Sequence, residues 1–268
     1  MTKVLMILMS MILWASGYHD LTAGESVSTS RAAKVEWRAG QVISEQDVAR
    51  LGLDSCFTMS PIGDGLFRRM QDGGTWKPNT PASLRGQLRY LRMLHRNADG
   101  RPQMGEMVVN ERIAARVLRI FRQLYEADYR IERMVLMDEY QADDETAMRH
   151  NNTSSFNFRF MANSTTRISK HGAGLAIDIN PLYNPFVLVL GMSNAQLRRL
   201  DYGHRKRGVT YDFEPATGEP YAFERSKRTD IPMKIDRTDL AYKLFTAEGF
   251  AWGGDWSTRK DYQHFEVK

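Results

Sequence analysis

Two histidines and several carboxylates are concentrated in two segments that are otherwise rich in glycine and aromatic residues. His171 and Asp178 lie in the first segment, and His264 lies in the second, close to the C-terminus. A catalytic zinc ion takes three protein ligands from histidine and carboxylate and leaves a fourth position for water, so these three side chains could hold one ion. Gly172 and Gly174 could fold the stretch between the first two ligands back on itself.

Each of these residues also has an ordinary structural interpretation. His171 could be a surface-loop histidine, Asp178 could be a strand-end carboxylate bonded to backbone, and His264 could be a packed polar residue beside Phe265. The spacing differs from the pattern His-Glu-x-x-His on one helix, so that zinc signature gives no support. On spacing alone, the metal site and the structural interpretation both stay open.

Asp261, three residues before His264, is a candidate general base. It could stay off the metal, accept a proton from the attacking water, whose pKa zinc lowers toward about 7, and pass that proton to the departing amine. Asp255 competes for this role, but it lies nine residues from His264. On these grounds the two acids stay alternatives.

The elements that must position these residues begin with two short apolar runs. Residues 88–94 and 107–109 predict strands joined by a hairpin-like turn at Ala98-Asp99-Gly100-Arg101. A helix through Leu84 and Leu91 is an alternative, because short apolar runs do not show whether the hydrophobic period is that of a strand or of a helix. Two further buried strands are predicted at residues 134–137 and 175–179.

Two helices are predicted from apolar residues at helical spacing. The first follows Asn110, a suitable N-cap, and the second lies between Asp236 and Glu248, with Gly249 in the stopping position. Strands and helices are mixed without regular alternation. We therefore expect an α+β fold in which helices pack on a small antiparallel or mixed sheet that carries the zinc site.

The first 24 residues predict a secretory signal peptide, because Lys3 precedes an apolar run that ends in the small residues Ser16 and Gly17. The run of about twelve residues is shorter than the about 20 that a bilayer span requires. We expect cleavage and export to the periplasm, the cell wall or the medium, with no stable membrane span afterwards. An uncleaved anchor and a buried N-terminal helix are the alternatives.

The composition is that of a soluble globular protein, with 42% hydrophobic and 26% charged residues. The one cysteine, Cys56, excludes an intramolecular disulfide. The net charge of +5 mildly favours an anionic partner such as a cell-wall polymer. The basic stretch at residues 198–207 lacks the interleaved aromatic platform of single-strand binding, so we expect a solvated loop, or wall association, and no nucleic-acid partner.

The motif around the candidate ligands resembles that of the zinc D-alanyl-D-alanine carboxypeptidase and L-alanyl-D-glutamate endopeptidase family. Its members share the pattern Ser-x-His-x-x-Gly-x-Ala-x-Asp, followed much later by Asp/Glu-x-x-His. The resemblance covers about residues 88–268, and the aromatic C-terminal phrases look like the endopeptidase-type branch. The matching residues are Ser169, His171, Gly174, Ala176 and Asp178 in the first half and Asp261 and His264 in the second.

The resemblance implies one catalytic zinc held by His171, Asp178 and His264, with Asp261 as general base. It implies a zinc peptidase domain at residues 88–268. The composition before it predicts an irregular extension at residues 25–87, which follows the signal peptide at residues 1–24. The residues expected to support the ligands are Ser169 and Asp255, the latter by orienting a ligand histidine.

The activity that the resemblance implies is hydrolysis of an amide bond in peptidoglycan stem peptides. Whether the cut releases a C-terminal residue or falls within the stem depends on the pocket walls, which we expect at residues 183–218. The wider superfamily includes lysostaphin-type endopeptidases and the signalling domain of hedgehog proteins. A non-catalytic, zinc-containing wall-binding or signalling module is therefore the alternative.

One departure from the family concerns the oxyanion. Relatives usually carry an arginine soon after the strand predicted at residues 134–137, where this chain has Asp138-Glu139-Tyr140-Gln141. Arg159 is the candidate for the missing positive charge, which must be preorganised to stabilise the developing oxyanion, and Tyr140 is a weaker candidate donor. Arg159 could instead pair with one of the acidic residues at 143–145.

Overall fold

The structure is a computed structural model that describes residues 36–268, and the predicted signal peptide at residues 1–24 lies outside this range. The α-helices are α1 (Glu45–Leu51), α2 (Asp64–Asp72), α3 (Leu84–Gln87), α4 (Glu111–Glu126), α5 (Asp144–Arg149), α6 (Asn194–Leu197) and α7 (Leu240–Ala247). The strands are β1 (Thr58–Pro61), β2 (Leu88–Arg96), β3 (Pro102–Asn110), β4 (Ala176–Asp178), β5 (Phe186–Leu190), β6 (Thr210–Glu214), β7 (Ala251–Trp252), β8 (Lys260–Asp261) and β9 (His264–Glu266). Turns of 3-10 helix lie at Leu53–Cys56, Met137–Tyr140, Ala216–Tyr221 and Gly253–Asp255.

The strands form three small antiparallel sheets. Their orders are β1-β2-β3, β4-β9-β7 and β6-β5-β8, and each neighbouring pair runs antiparallel. Helix α4 packs on β2 and β3, and α7 packs on α4 and β7. The predicted α+β class is confirmed.

The predicted hairpin and the helix after it are both present. β2 and β3 pair along their whole length, from Leu88 opposite Asn110 to the turn at Gly100, whose φ of 84° lies in the left-handed region that glycine tolerates. The alternative helix is confined to α3. Asn110 caps α4, because its side-chain oxygen accepts a hydrogen bond from the backbone N–H of Arg112 at 3.1 Å. The buried face of α4 consists of Ile113, Ala114, Val117, Ile120, Phe121, Leu124 and Tyr125.

The second predicted helix is confirmed within shorter bounds. α7 begins at Leu240 because Asp239 caps it, accepting a hydrogen bond from the N–H of Ala241 at 2.9 Å. It ends before Gly249, whose φ of 84° terminates the helix. The side chain of Phe245 on this helix is fully buried.

The strand predicted at residues 134–137 is wrong, whereas the one predicted at residues 175–179 is confirmed as β4. Residues 134–137 are buried but do not form a strand, and within the described chain they share one backbone hydrogen bond with a strand, from the N–H of Glu106 in β3 to the carbonyl of Met134 at 3.0 Å. Instead, the side chain of Asn152 bonds to both backbone polar groups of Val135, at 3.0 Å each. The apolar run therefore indicated burial and not strand pairing.

Residues 36–87 are more regular than the irregular extension predicted for residues 25–87. They contain α1, β1 and α2, and β1 adds a third strand to the hairpin. Cys56 is fully buried in a cluster with Ile43 and Leu94, and burial raises the pKa of its thiol. These residues thus belong to the same compact unit as the rest of the described chain. Within residues 36–268, no helix is both long and apolar enough to span a membrane.

Candidate metal centre

Strand pairing brings two of the predicted ligands together. Asp178 at the end of β4 lies directly opposite His264 at the start of β9. Side chains of directly opposed residues lie on the same face of a sheet. The Oδ1 atom of Asp178 and the Nδ1 atom of His264 are accordingly 3.0 Å apart.

A tight turn before β4 carries the third predicted ligand, His171. The hydroxyl of Ser169 accepts a hydrogen bond from the N–H of Gly172 at 2.9 Å, which is how Ser169 supports the turn. Gly174 has a φ of 65°, and its carbonyl accepts a hydrogen bond from the N–H of Asn110 at 2.7 Å. A Cβ at Gly174 would lie 2.8 Å from that nitrogen, so this position requires glycine. The end of β3 thus holds the turn in place.

The three side chains converge on one point. The Nε2 atom of His171 lies 3.2 Å from Oδ2 of Asp178 and 3.1 Å from Nδ1 of His264, and one ligand atom from each residue lies within 4.8 Å of the others. These are the residues predicted as ligands. Two imidazole nitrogens and a carboxylate oxygen form a donor set that suits zinc.

The hydrogen bonds on the far side of each ring determine which nitrogen faces this point. Nδ1–H of His171 donates to the carbonyl of Ser155 at 2.8 Å, and Nε2–H of His264 donates to the carboxylate of Glu266 at 3.1 Å. The lone pairs of the other two nitrogens then face each other and the carboxylate of Asp178. Three acceptors at these distances repel one another unless a proton or a metal ion lies between them. A proton on Nδ1 of His264 would bond to Asp178 alone, whereas a metal ion would be held by all three side chains, so the donor set fits a metal ion.

The charges of the site also favour a cation. Burial alone would raise the pKa of Asp178, but the charges and hydrogen bonds of the two histidines hold that pKa well below its usual value. Burial alone would lower the pKa of His264, but its bonds to Asp178 and Glu266 raise that pKa above its usual value. The hydrogen bond from His264 lowers the pKa of Glu266. The carboxylates thus stabilise positive charge where the ligands meet.

Asp261 and the three candidate ligands line one cavity, which has a volume of about 140 Å³. The Oδ1 atom of Asp261 is buried and has no hydrogen-bond partner within the described residues. Burial raises the pKa of Asp261 to about 7, against the lowering effect of the nearby His264. A carboxyl with this pKa can both take up and release a proton near neutral pH. The cavity is lined by Met137, Asp144, Ala147, Met148, Ser154, Arg159, His171, Asp178, Phe186, Glu214, Asp261, Gln263 and His264.

Arg159 lies on the cavity wall and is also ion-paired. Its Nη1 atom is 3.0 Å from the carboxylate of Asp144, so the pairing considered from the sequence is present, and 37% of the arginine side chain is exposed. Tyr140 is not among the described residues that line this cavity, and its ring packs near His150 with the centroids 5.7 Å apart. The structure therefore places Arg159, and not Tyr140, in the cavity that the candidate ligands line.

Asp255 does not have the orienting role predicted for it. Its carboxylate accepts a hydrogen bond from Nε of Arg237 at 2.9 Å, in an exposed pair, and the described structure shows no hydrogen bond from it to a ligand histidine. Glu266 orients His264 instead. Because it lies two residues after His264 in a strand, it shares a face with that ligand, and this spacing could have indicated it. The carbonyl of Ser155 orients His171, and a backbone acceptor leaves no signal in the sequence.

Comparison with known protein families gives a match over part of the chain. Residues 162–267 match a family model described as D-alanyl-D-alanine carboxypeptidase. This segment contains both halves of the motif, so the resemblance predicted from His171, Asp178, Asp261 and His264 is confirmed there, and the chain is similar to peptidases of this kind. No curated protein and no solved structure matches the chain.

Proposed function

We propose that this protein is a zinc-dependent peptidase that hydrolyses an amide bond in the stem peptides of peptidoglycan. The observation that carries the proposal is the convergence of His171, Asp178 and His264 in one cavity with Asp261, whose Oδ1 has no hydrogen-bond partner in the described chain. All four residues lie within the segment that matches the family. We further propose that residues 1–24 direct export, which would bring the enzyme to this substrate.

Each residue of the cavity has a distinct role in this proposal. Zinc held by the three ligands would supply a Lewis acid that polarises the scissile carbonyl and acidifies water. Asp261 takes the proton from the attacking water and returns it to the departing amine, because its raised pKa makes both transfers accessible near neutral pH. Ser155 and Glu266 hold the histidine rings in the required tautomers.

The proposed role of Arg159 is to stabilise the negative charge that develops on the carbonyl oxygen. Its ion pair with Asp144 holds the guanidinium on the cavity wall before substrate enters, so little reorganisation is needed. This would replace the arginine that relatives carry near the position of Asp138 to Gln141. The apolar part of the wall, which reduces the access of water, consists of Met137, Ala147, Met148 and Phe186.

The proposal also concerns which bond of the stem peptide is cut. The description of the matching family favours release of the C-terminal D-alanine, and an internal cut of the stem is the alternative. Mass spectrometry of digested muropeptides distinguishes the two, because loss of one alanine and division of the stem give different products.

The experiment that tests the proposal is a muropeptide digest by the purified protein with and without a chelator. We expect about one zinc per chain, cleavage that stops with chelator and returns with zinc, and no cleavage by the variant His171→Ala. Asp255→Asn is the matched control, because Asp255 lies in the same C-terminal region but pairs with Arg237 away from the ligands. Full activity of the double variant His171→Ala/Asp261→Ala would contradict the proposal. Wall binding without cleavage by the parent protein would support a non-catalytic module instead.

A further inference from the structure

Glu214 shares a row of side chains with the proposed general base. In the sheet β6-β5-β8, Phe186 of β5 lies opposite Glu214 of β6 on one side and opposite Asp261 of β8 on the other. Directly opposed residues project on the same face of a sheet. All three residues accordingly line the cavity of the metal centre.

Glu214 is the carboxylate of this cavity that the proposed mechanism leaves without a role. Asp178 faces the histidines, Asp144 pairs with Arg159, and Asp261 is kept for proton transfer. Within residues 36–268, no cationic side chain pairs with Glu214, although Arg159 lies near enough to influence it. Burial, followed by the nearby Asp144, raises the pKa of Glu214. As a residue Glu214 is nevertheless exposed to solvent, and it lines the cavity without an ion pair in the described chain.

Gln263 adds an unused acceptor to the same cavity. Its side chain is 2% exposed and lines the cavity, and its Oε1 atom is buried without a hydrogen-bond partner in the described chain. Its Nε2 atom lies 3.4 Å from the backbone carbonyl of Glu214. Since a carbonyl can only accept, the amide nitrogen must face that carbonyl, and the amide oxygen is the free end. A buried acceptor of this kind requires a donor from elsewhere.

We propose that Glu214 and Gln263 form a subsite for a cationic amino group of the peptide substrate. This inference rests on the proposed peptidase function and adds to it the chemical class of the substrate: a peptide with a free amine near the scissile bond. An ammonium group supplies what the subsite lacks. It brings a positive charge for the carboxylate and N–H donors for the amide oxygen.

The distance across the sheet limits where that amine can be in the substrate. Adjacent strands lie about 4.8 Å apart, so the backbones at Glu214 and Asp261 are about 10 Å apart across Phe186. An extended peptide covers this distance in about three residues, or in one residue with a long side chain. The amine is therefore either the side-chain amine of a diamino acid close to the cut or the α-amine of a short peptide.

Matched peptides show which of these two amines is recognised. The probes share a D-alanyl-D-alanine end and an internal lysine. One has both amines free, one has the lysine amine acetylated, and one has the N-terminal amine acetylated. For the parent protein loaded with zinc, acetylation of the recognised amine should lower kcat/KM about tenfold, mainly through KM, because the amine contributes equally to ground-state and transition-state binding. Acetylation of the other amine should have little effect.

Variants test whether Glu214 and Gln263 cause this preference. In Glu214→Gln, the ratio of kcat/KM between free and acetylated peptide should fall from about tenfold to near one, and Gln263→Leu should lower it in the same direction. Glu219→Gln is the matched control, because it removes the same charge from a nearby exposed residue that pairs with Arg205 and is not among the described cavity-lining residues. The control should keep the parent ratio. A purely structural role for Glu214 would lower both rates and leave the ratio unchanged.

The outcomes separate the inference from the function on which it rests. Equal cleavage of all the peptides by the parent protein would overturn the inference and leave the proposed peptidase intact. An unchanged ratio in Glu214→Gln would overturn it as well. If zinc-loaded parent protein cleaves none of the peptides and no muropeptide, both the proposed function and the inference are wrong.

Discussion

The hairpin sheet β1-β2-β3 with helix α4 differs from the two small sheets around the cavity in how it is stabilised. β2 and β3 are nine residues each and are neighbours in sequence, and all of β3 is buried. The strands around the cavity have two to five residues and come from distant parts of the chain. Around them, buried polar side chains bond to the backbone of neighbouring segments, as Asn152, Ser155, Asn157, Asn180 and Asn184 do.

Because of this difference, we expect substitutions in the hairpin sheet to change stability and substitutions around the cavity to change function. In the hairpin sheet and its helices, apolar burial supplies the stability, so a truncated side chain should lower the free energy of unfolding. Around the cavity, the proposed function requires polar groups at fixed positions, and some of these groups lack hydrogen-bond partners in the described chain. Substitutions there should change metal binding or catalysis more than stability. The following predictions test that separation, beginning with the largest expected effect.

Asp261→Asn should have the largest effect on catalysis. Loss of the general base should lower kcat by about 10²- to 10⁴-fold. The free energy of unfolding should stay the same or rise, because a neutral amide replaces a buried carboxyl whose Oδ1 has no hydrogen-bond partner among residues 36–268. Steady-state kinetics measures kcat, and urea unfolding of the same preparation measures the free energy of unfolding. A variant that loses stability together with activity would contradict the separation.

Phe245→Ala should have the opposite profile. The ring of Phe245 stacks on Phe265 with the centroids 4.5 Å apart and meets the edge of Phe121 at 6.3 Å. Its removal should lower the free energy of unfolding by about 3–5 kcal/mol. Under conditions in which the variant is still fully folded, its kcat should stay close to that of the parent protein. A large fall in kcat would mean that Phe265 transmits core packing to its neighbour His264.

Glu266→Gln should weaken zinc binding by about 10- to 100-fold, because the carboxylate that orients His264 and increases its basicity becomes a neutral amide. Titration against a competing chelator measures the affinity. Asp255→Asn should leave the affinity unchanged, since Asp255 pairs with Arg237. Weaker zinc binding in Asp255→Asn together with unchanged binding in Glu266→Gln would instead show that Asp255 orients the ligand.

Asn110→Ala tests the place where the two regions meet and should have the smallest effect. Its side chain caps α4 and also donates to the carbonyl of Ala173 at 3.1 Å, in the turn that carries His171. Loss of the cap should lower the free energy of unfolding by about 1 kcal/mol. Zinc affinity should fall only slightly, because the backbone bond from Asn110 to Gly174 is kept. Asn110→Asp should restore the cap and not the bond to Ala173.

The same separation explains what could be predicted from the sequence. The hairpin, α4 and α7 follow from local signals: an apolar period, a cap and a stopping glycine. The ligand set followed from a motif, although its members meet only through the pairing of Asp178 with His264. The strand predicted at residues 134–137 was wrong because the side chain of Asn152, far along the chain, takes the place of a neighbouring strand.

The orienting groups and the extension escaped prediction for related reasons. The acceptor for His171 is the backbone carbonyl of Ser155, which any residue type supplies. Arg159 both pairs with Asp144 and lines the cavity, so the two interpretations weighed from the sequence are not exclusive. In residues 36–87, each short element buries only a few apolar side chains, too few to show a period.

The row Glu214-Phe186-Asp261 has an evolutionary consequence. An insertion or deletion of one residue inside β6 would exchange Glu214 for its neighbour Phe213 at the cavity, because side chains alternate along a strand. The connection at residues 191–209 lies beyond the paired strands, so a change in its length leaves this register intact. Lineages descended from a common ancestor should therefore vary the connection freely while keeping the lengths of β5 and β6. Loop diversity and substrate chemistry can then evolve independently in one hairpin.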